Sequence, residues 1–154
     1  MAKMIAGYAH SRGQAKDAGA IRAFSRAAYA DWAAHLGREP LPMSADYEAA
    51  LKVHRFDLLY EGETLCALIE TDIRGQSLWI ENIAVDASLQ GKGIGRALLD
   101  LAKQIARDVG CETLSLYTNA KMTRNVEMYK RYGFTVTHEE VMEHAVAVHM
   151  SMRV

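Results

Sequence analysis

The sequence predicts an α/β (α+β) domain on a mixed, mostly antiparallel sheet of about six or seven strands flanked by about four helices. Three observations predict it. Apolar runs of strand length are joined by short glycine turns, as in hairpins. Other segments repeat their apolar residues every three or four positions, as amphipathic helices do. One run, Leu78 to Val85, is apolar at both parities, which predicts an interior strand covered on both faces. Hairpins and crossovers together imply a mixed sheet.

The elements follow in order. Ile5 to His10 is a weak strand candidate. From Asp17 the pattern is helical, with Ile21, Phe24, Ala28, Trp32 and Leu36 on one face and Gly37 as the stop. Residues 38–43 form a connector, after which Ser44 is placed to cap a short helix with Tyr47 at the capping-box position. Strands are expected at Arg55 to Tyr60 and Thr64 to Ile73, joined through Gly62. A turn at Gly75 leads into Leu78 to Val85. Gly93 to Val109 reads as a helix whose stripe is Ile94, Leu98, Leu101, Ile105 and Val109, ended by Gly110. Thr113 to Tyr117 is a strand, and Met122 to Tyr132 a helix stopped by Gly133. Phe134 to Thr137 and Ala145 to Met152 close the sheet.

Composition narrows the function. The 154 residues, half of them apolar, suit one domain over 1–154, with no internal repeat or linker. Eighteen Lys plus Arg against nineteen Asp plus Glu leave a formal charge of −1, so the basic footprint of a nucleic-acid binder is missing. No apolar run reaches the ~20 residues that span a membrane, and Met1 to Gly13 lacks the apolar core of a signal peptide. Cys66 and Cys111 sit in apolar stretches outside any Cys-x-x-Cys pair and read as buried free thiols. A reducing, cytoplasmic setting is the expectation. The six histidines show no metal-ligand spacing and read as solvent or core residues; no metal is expected.

The most informative stretch is Gln90-Gly91-Lys92-Gly93-Ile94-Gly95-Arg96, between an apolar strand and an amphipathic helix. The first amides of a helix lack intrahelical acceptors and carry the positive end of its dipole. Glycines let main chain approach phosphate oxygens closely, and Lys92 and Arg96 add positive charge. A Walker loop is ruled out because its string is absent, and a dinucleotide fingerprint fails because Arg96 stands where its third glycine belongs. The remaining reading without a ligand is a turn that tightens strand–helix packing.

Asn82-Ile83-Ala84-Val85-Asp86 followed by the glycine turn resembles the acyl-CoA-binding core of the GNAT superfamily. So does Asn125 with the later run Met128 to Phe134, which carries Tyr-x-x-x-Gly-Phe. The resemblance covers roughly residues 63–137 and thins before residue 55. It implies a single GNAT-like domain and an N-acetyltransferase that uses acetyl-CoA as co-substrate. It implies backbone groups of Ile83, Ala84 and Val85 along the pantetheine arm, polarising the thioester carbonyl. Gln90, Gly91, Lys92, Gly93, Ile94, Gly95 and Arg96 would hold the pyrophosphate, Asn125 another part of CoA, and Tyr129 would lie near the sulfur. Such enzymes often pair as homodimers, and nothing in the chain itself decides that.

The reaction sets two demands. A lysine-like amine costs about 4.6 kcal/mol to deprotonate at pH 7, and sulfur leaving as a bare thiolate rather than a thiol costs about 2 kcal/mol. Tyr129 is placed to donate to the thiolate, although it shares a face with Met122 and Val126 and reads also as a core tyrosine. Glu81, an ionisable residue in an apolar strand, is the candidate base; an inert, salt-bridged glutamate at a rim is the alternative. Tyr117 stands twelve residues before Tyr129, where some peptide-N-terminus acetylating members carry a glutamate, and Met122 stands where those members carry an asparagine. Tyr29, Trp32 and Tyr117, with Pro40, Pro42, Asp46 and Tyr47, fall where the resemblance puts an acceptor pocket; core packing of two short helices is the equal alternative for the residues before Tyr117. The acceptor is then an amine of a small molecule or side chain, reached by direct attack in a ternary complex. The alternatives are a non-catalytic acyl-CoA sensor, a hydroxyl acceptor or a longer acyl group.

Overall fold

In a computed structural model that describes residues 3–154, the ambiguous N-terminal stretch forms a tight hairpin; Met1 and Ala2 lie outside the described residues. Strand β1 (Lys3–Ile5) pairs antiparallel with β2 (Tyr8–Arg12), and the turn between them holds Ala6 at φ 52° and Gly7 at φ 88°. Both central residues at positive φ make the turn whose twist suits a two-residue hairpin.

The expected long helix is two. Helix α1 (Ala18–Ala28) ends at Tyr29, whose φ of −99° and ψ of 1° leave the helical region, and α2 (Ala30–Leu36) continues to a left-handed Gly37. Local periodicity favours one helix, but the Tyr29 hydroxyl is bonded to another element and the chain kinks there. A 3₁₀ turn, Leu41–Met43, lies in the connector. Helix α3 (Tyr47–Val53) is capped by Asp46, whose carboxylate accepts from the Ala49 amide, rather than by Ser44, which closes the preceding turn. Aspartate two residues closer simply meets the first free amides.

The strands are β3 (Arg55–Glu61), β4 (Thr64–Arg74), β5 (Ser77–Val85), β6 (Thr113–Asn119), β7 (Thr135–Val141) and β8 (Val146–Arg153). Helix α4 (Ile94–Asp108) follows β5, and α5 (Thr123–Tyr132) follows β6. Eight strands join one sheet in the order β1-β2-β3-β4-β5-β6-β8-β7, with β5–β6 the parallel neighbours. The sheet therefore has one strand more than the upper expectation, because residues 3–12 supply two.

Two compact units share the chain. One comprises the residues through Asp72 together with Glu81–Asp100. Its core gathers Ile21 and Phe24 of α1, Tyr47 of α3, Phe56 and Leu58 of β3, Leu65 and Leu68 of β4, and Ala84 of β5. Burying each large apolar side chain contributes about 1.5–3 kcal/mol relative to exposure. The Tyr47 ring meets Phe56 edge-on and its hydroxyl donates to the Pro42 carbonyl, so this tyrosine is a core residue.

The other unit comprises Ile73–Ile80 and Leu101–Val154. Here β6 pairs with β8 through seven residue pairs, while its parallel ladder with β5 covers only Ser77–Thr113, Leu78–Leu114 and Trp79–Ser115. Leu114, Leu116, Val148 and Met150 are buried with Leu101, Ala102 and Ile105 of α4. Val109, expected on that stripe, lies beyond the helix end and is exposed. Strand β5 was expected to be covered on both faces. Instead its burial alternates: Leu78, Ile80, Asn82 and Ala84 are buried, whereas Trp79, Glu81, Ile83 and Val85 are half-buried.

Candidate functional site

The glycine turn meets the geometric requirement for holding an anion. Gly91 and Gly93 adopt φ of 82° and 84°, and a Cβ built on either meets nothing within 4 Å. The glycines are therefore needed for the backbone they permit, in a turn open on that side, and not for packing. Helix α4 begins immediately at Ile94 with no acidic residue in its first turn, so the chain supplies no negative charge of its own to the dipole's positive end. Lys92 and Arg96 are exposed beside it. Gln90 bends back to place its amide near the Val85 carbonyl. Asp86 closes the end of β5: its amide donates to the Cys66 carbonyl, and bonds from the Ser88 hydroxyl and amide hold its carboxyl below the usual range.

Strand β5 carries the next layer. Ile83, Ala84 and Val85 lead directly to this turn. The hydroxyl of Tyr29, at the α1–α2 kink, donates to Asn82 Oδ1 at 2.6 Å and lies 3.1 Å from the Ile83 carbonyl. Asn82 is buried, and its Nδ2 has no hydrogen-bond partner among the described residues. The structure thus ties Tyr29, expected as a pocket residue, to the strand that would flank the cofactor. Asp46 caps α3 and Tyr47 fills the core; Trp32 is half-buried on α2, its ring edge-on to His35.

Glu81 belongs to a cluster that sequence spacing did not show. His54, at the C-terminal end of α3, is hydrogen-bonded through Nδ1 to Glu70 Oε2 at 2.7 Å, and its Nε2 lies 3.5 Å from Asp72 Oδ2. Donor atoms of His54, Asp72 and Glu81 all lie within 4.8 Å of one another. Burial pushes the Glu70 carboxyl up; the His54 hydrogen bond and charge pull it partly back, while Glu81 and Asp72 push it further up. His54 is therefore neither a plain core nor a plain solvent histidine. Nor is His10, whose Nε2 lies 2.7 Å from the fully buried carboxylate of Asp57, which also accepts two bonds from Arg55.

The second unit holds the remaining candidates. Tyr129 on α5 is buried, 5 % exposed, with its ring edge-on to Phe134. Burial pushes its phenol well above the ordinary tyrosine range, so it keeps its proton at neutral pH. Asn125 is half-buried one turn earlier on α5. Tyr117 is 43 % exposed on β6, in a triangle of rings with Trp79 and His149.

These features belong to a defined class of protein. The acetyltransferase (GNAT) family model matches residues 20–134, and the chain belongs to that family. It is 42% identical over 59 residues to a mycothiol acetyltransferase of Propionibacterium freudenreichii, a match covering 38% of this chain and 19% of that protein. The chain thus spans about a fifth of that relative. Among solved structures it resembles the PaiA N-acetyltransferase of Thermoplasma acidophilum in complex with coenzyme A. The TM-score is 0.79 and the identity 17%, over 95% of this chain and 99% of that one. It also resembles the ribosomal-protein-S18-alanine N-acetyltransferase of Escherichia coli, with TM-score 0.75 and 19% identity over 94% of each chain. At these identities the likeness is one of fold. No helix among the described residues is long and apolar enough to cross a membrane.

Proposed function

We propose that this chain transfers an acetyl group from acetyl-CoA to a primary amine of a small molecule or side chain, by direct attack in a ternary complex. One observation carries the reading: two glycines with positive φ open onto the N-terminus of α4, flanked by Lys92 and Arg96 and free of any first-turn acid. That is a place for a diphosphate. The family's acetyltransferase activity, and the coenzyme A bound by the PaiA relative, support CoA as its source. The short β5–β6 ladder adds support, since main chain beyond Trp79 lies outside those three pairs and suits an extended pantetheine arm.

The chemistry assigned to each residue follows from that. Glu81 takes the proton from the acceptor ammonium. The amine nitrogen bonds to the thioester carbon, and amides of Ile83–Val85 polarise the carbonyl. As the carbon–sulfur bond breaks, its electron pair goes to sulfur, which takes up the surplus proton of the newly acylated nitrogen and leaves as the thiol. Tyr129 steadies the thiolate by hydrogen bonding. With its phenol raised above a thiol's range, donation without full transfer is the favourable course. Gln90 to Arg96 bind the pyrophosphate and Asn125 binds elsewhere on CoA; Trp32 and Tyr117 bound the acceptor.

The mycothiol acetyltransferase match is confined to 59 residues, so that name does not bring its acceptor with it. A thermal melt with acetyl-CoA, CoA or NADH at ~100-fold over Kd tests the cofactor: binding adds about 2.7 kcal/mol and raises the midpoint by about 5–10 °C. A rise with both CoA species and not NADH is expected. Thiol release with lysine, spermidine, glucosamine and an alanine-initiated peptide then reports the acceptor. No midpoint rise with either CoA species overturns the proposal.

A further inference from the structure

We infer that His54 is a positioning and proton-relay residue, taking from Glu81 the proton that Glu81 removes from the acceptor amine. The inference rests on the acetyl-transfer reading and extends it by one residue. Its basis is geometric. His54 closes α3, where its ring is gripped from one side by Glu70 of β4, 2.7 Å from Nδ1. Glu70 is 7 % exposed and thus a fixed partner. A buried carboxylate on Nδ1 sets the tautomer and turns Nε2 outward, the arrangement by which a second group orients a working imidazole. Nε2 then lies 3.5 Å from Asp72 of β4, and one ring nitrogen of His54, a carboxylate oxygen of Asp72 and one of Glu81 of β5 all fall within 4.8 Å of one another. The ionisable groups recorded around the ring are thus Glu70 and Asp72 from β4 and Glu81 from β5. Glu81 is only half-buried, on the same alternating face of β5 as Ile83 and Val85, while Glu70 lies behind.

The chemistry explains why a carboxylate benefits from such a neighbour. Carboxylates as a class bind a proton about two pK units more weakly than imidazole. A proton taken from an ammonium therefore passes downhill from a carboxyl to an adjacent imidazole, which alone among side chains ordinarily exchanges it near neutral pH. The balance is R–NH3⁺ plus acetyl-CoA giving the acetamide, CoA thiol and one proton. The nitrogen–carbon bond forms, the carbon–sulfur bond breaks with its electron pair to sulfur, and the proton goes from Glu81 to His54 Nε2 and then to water. His54 touches no reacting atom.

Two measurements on the full chain test this. Long-range ¹H–¹⁵N spectra of protein labelled with ¹⁵N-histidine, with His54 assigned by its loss in His54→Asn, should show the neutral ring carrying its proton on Nδ1. A proton on Nε2 overturns the relay. Kinetics with the best amine of the panel supply the second readout. His54→Asn keeps a donor toward Glu70 but cannot titrate, so kcat should fall ten- to hundredfold at pH 7 and little at pH 9, where the amine needs less help. A deficit equal at both pH values makes His54 structural and sinks the relay. Silence of the wild-type chain across the whole panel sinks the acetyl-transfer reading instead, and the relay with it.

Discussion

Replacing Tyr29 with phenylalanine removes one oxygen and leaves the ring. That oxygen serves two acceptors, Asn82 Oδ1 at 2.6 Å and the Ile83 carbonyl at 3.1 Å. Asn82 is 4 % exposed and its Nδ2 already lacks a partner among the described residues. The variant strips the amide's oxygen as well, leaving a buried polar group without that bond at either end. A newly orphaned buried acceptor costs about 1–3 kcal/mol. With a urea m-value of roughly 2 kcal/mol/M, the unfolding midpoint should drop by about 0.5–1.5 M. The double variant Tyr29→Phe with Asn82→Leu, which removes both ends of the bond, should recover at least about 1 kcal/mol of that loss. CoA affinity should fall with the single variant, because the bond fixes main chain at Asn82 and Ile83. A midpoint within 0.2 M of wild type, with additive single and double changes, would refute the assignment of Tyr29 as an anchor.

Three further outcomes are expected. Tyr129→Phe should lower kcat by ~10²–10⁴-fold if its hydroxyl serves the thiolate, while denaturation shows stability within about 0.5 kcal/mol; an unchanged kcat removes Tyr129 from the chemistry. Gly93→Val, at φ 84° with no atom within 4 Å of its Cβ, should cost roughly 1–2 kcal/mol of backbone strain without a clash. Its melt should still be cooperative, but the rise on adding CoA should shrink, and a full-sized rise would make the turn irrelevant to CoA. Because burial raises the Glu70 carboxyl above its ordinary 4.5, the folded chain binds that proton more tightly than the unfolded one. Stability relative to Glu70→Gln should therefore fall as pH climbs from about 4.5 through the raised value, then level. A flat difference across that window in paired urea titrations would contradict the burial argument.

Sequence periodicity located the glycine turn, α4, α5 and the strand cores because each of these is a local pattern with a nearby stop. It missed features that depend on distant atoms. The α1–α2 break is invisible in a helical repeat running from Ile21 to Leu36, and the partner of the Tyr29 hydroxyl there, Asn82, is 53 residues away. The Ala6-Gly7 turn carries one glycine signal where two positive φ values are needed. Apolar Trp79, Ile83 and Val85 suggested a β5 buried on both faces, yet that parity is half-open, as expected where a ligand would share the burial. The His54 cluster draws on α3, β4 and β5, and only the folded sheet brings Glu70, Asp72 and Glu81 to one imidazole. Ser44 reads as the cap of α3 in the sequence, whereas the register of the folded helix gives that place to Asp46.

The triad of His10, Asp57 and Arg55 bears on where this protein can be cut. The family match spans residues 20–134, a tempting boundary for a minimal fragment. Such a fragment discards β1 and β2, and with them His10, leaving the fully buried Asp57 carboxylate only Arg55 of its two basic partners. It also discards β8, the strand bonded to β6 along its whole length. Two raw sheet edges and a buried carboxylate short of one hydrogen-bond partner invite chain-to-chain pairing, so the trimmed piece should precipitate where the full chain stays dispersed. The family match stops at residues 20 and 134, but the sheet runs past it at both ends.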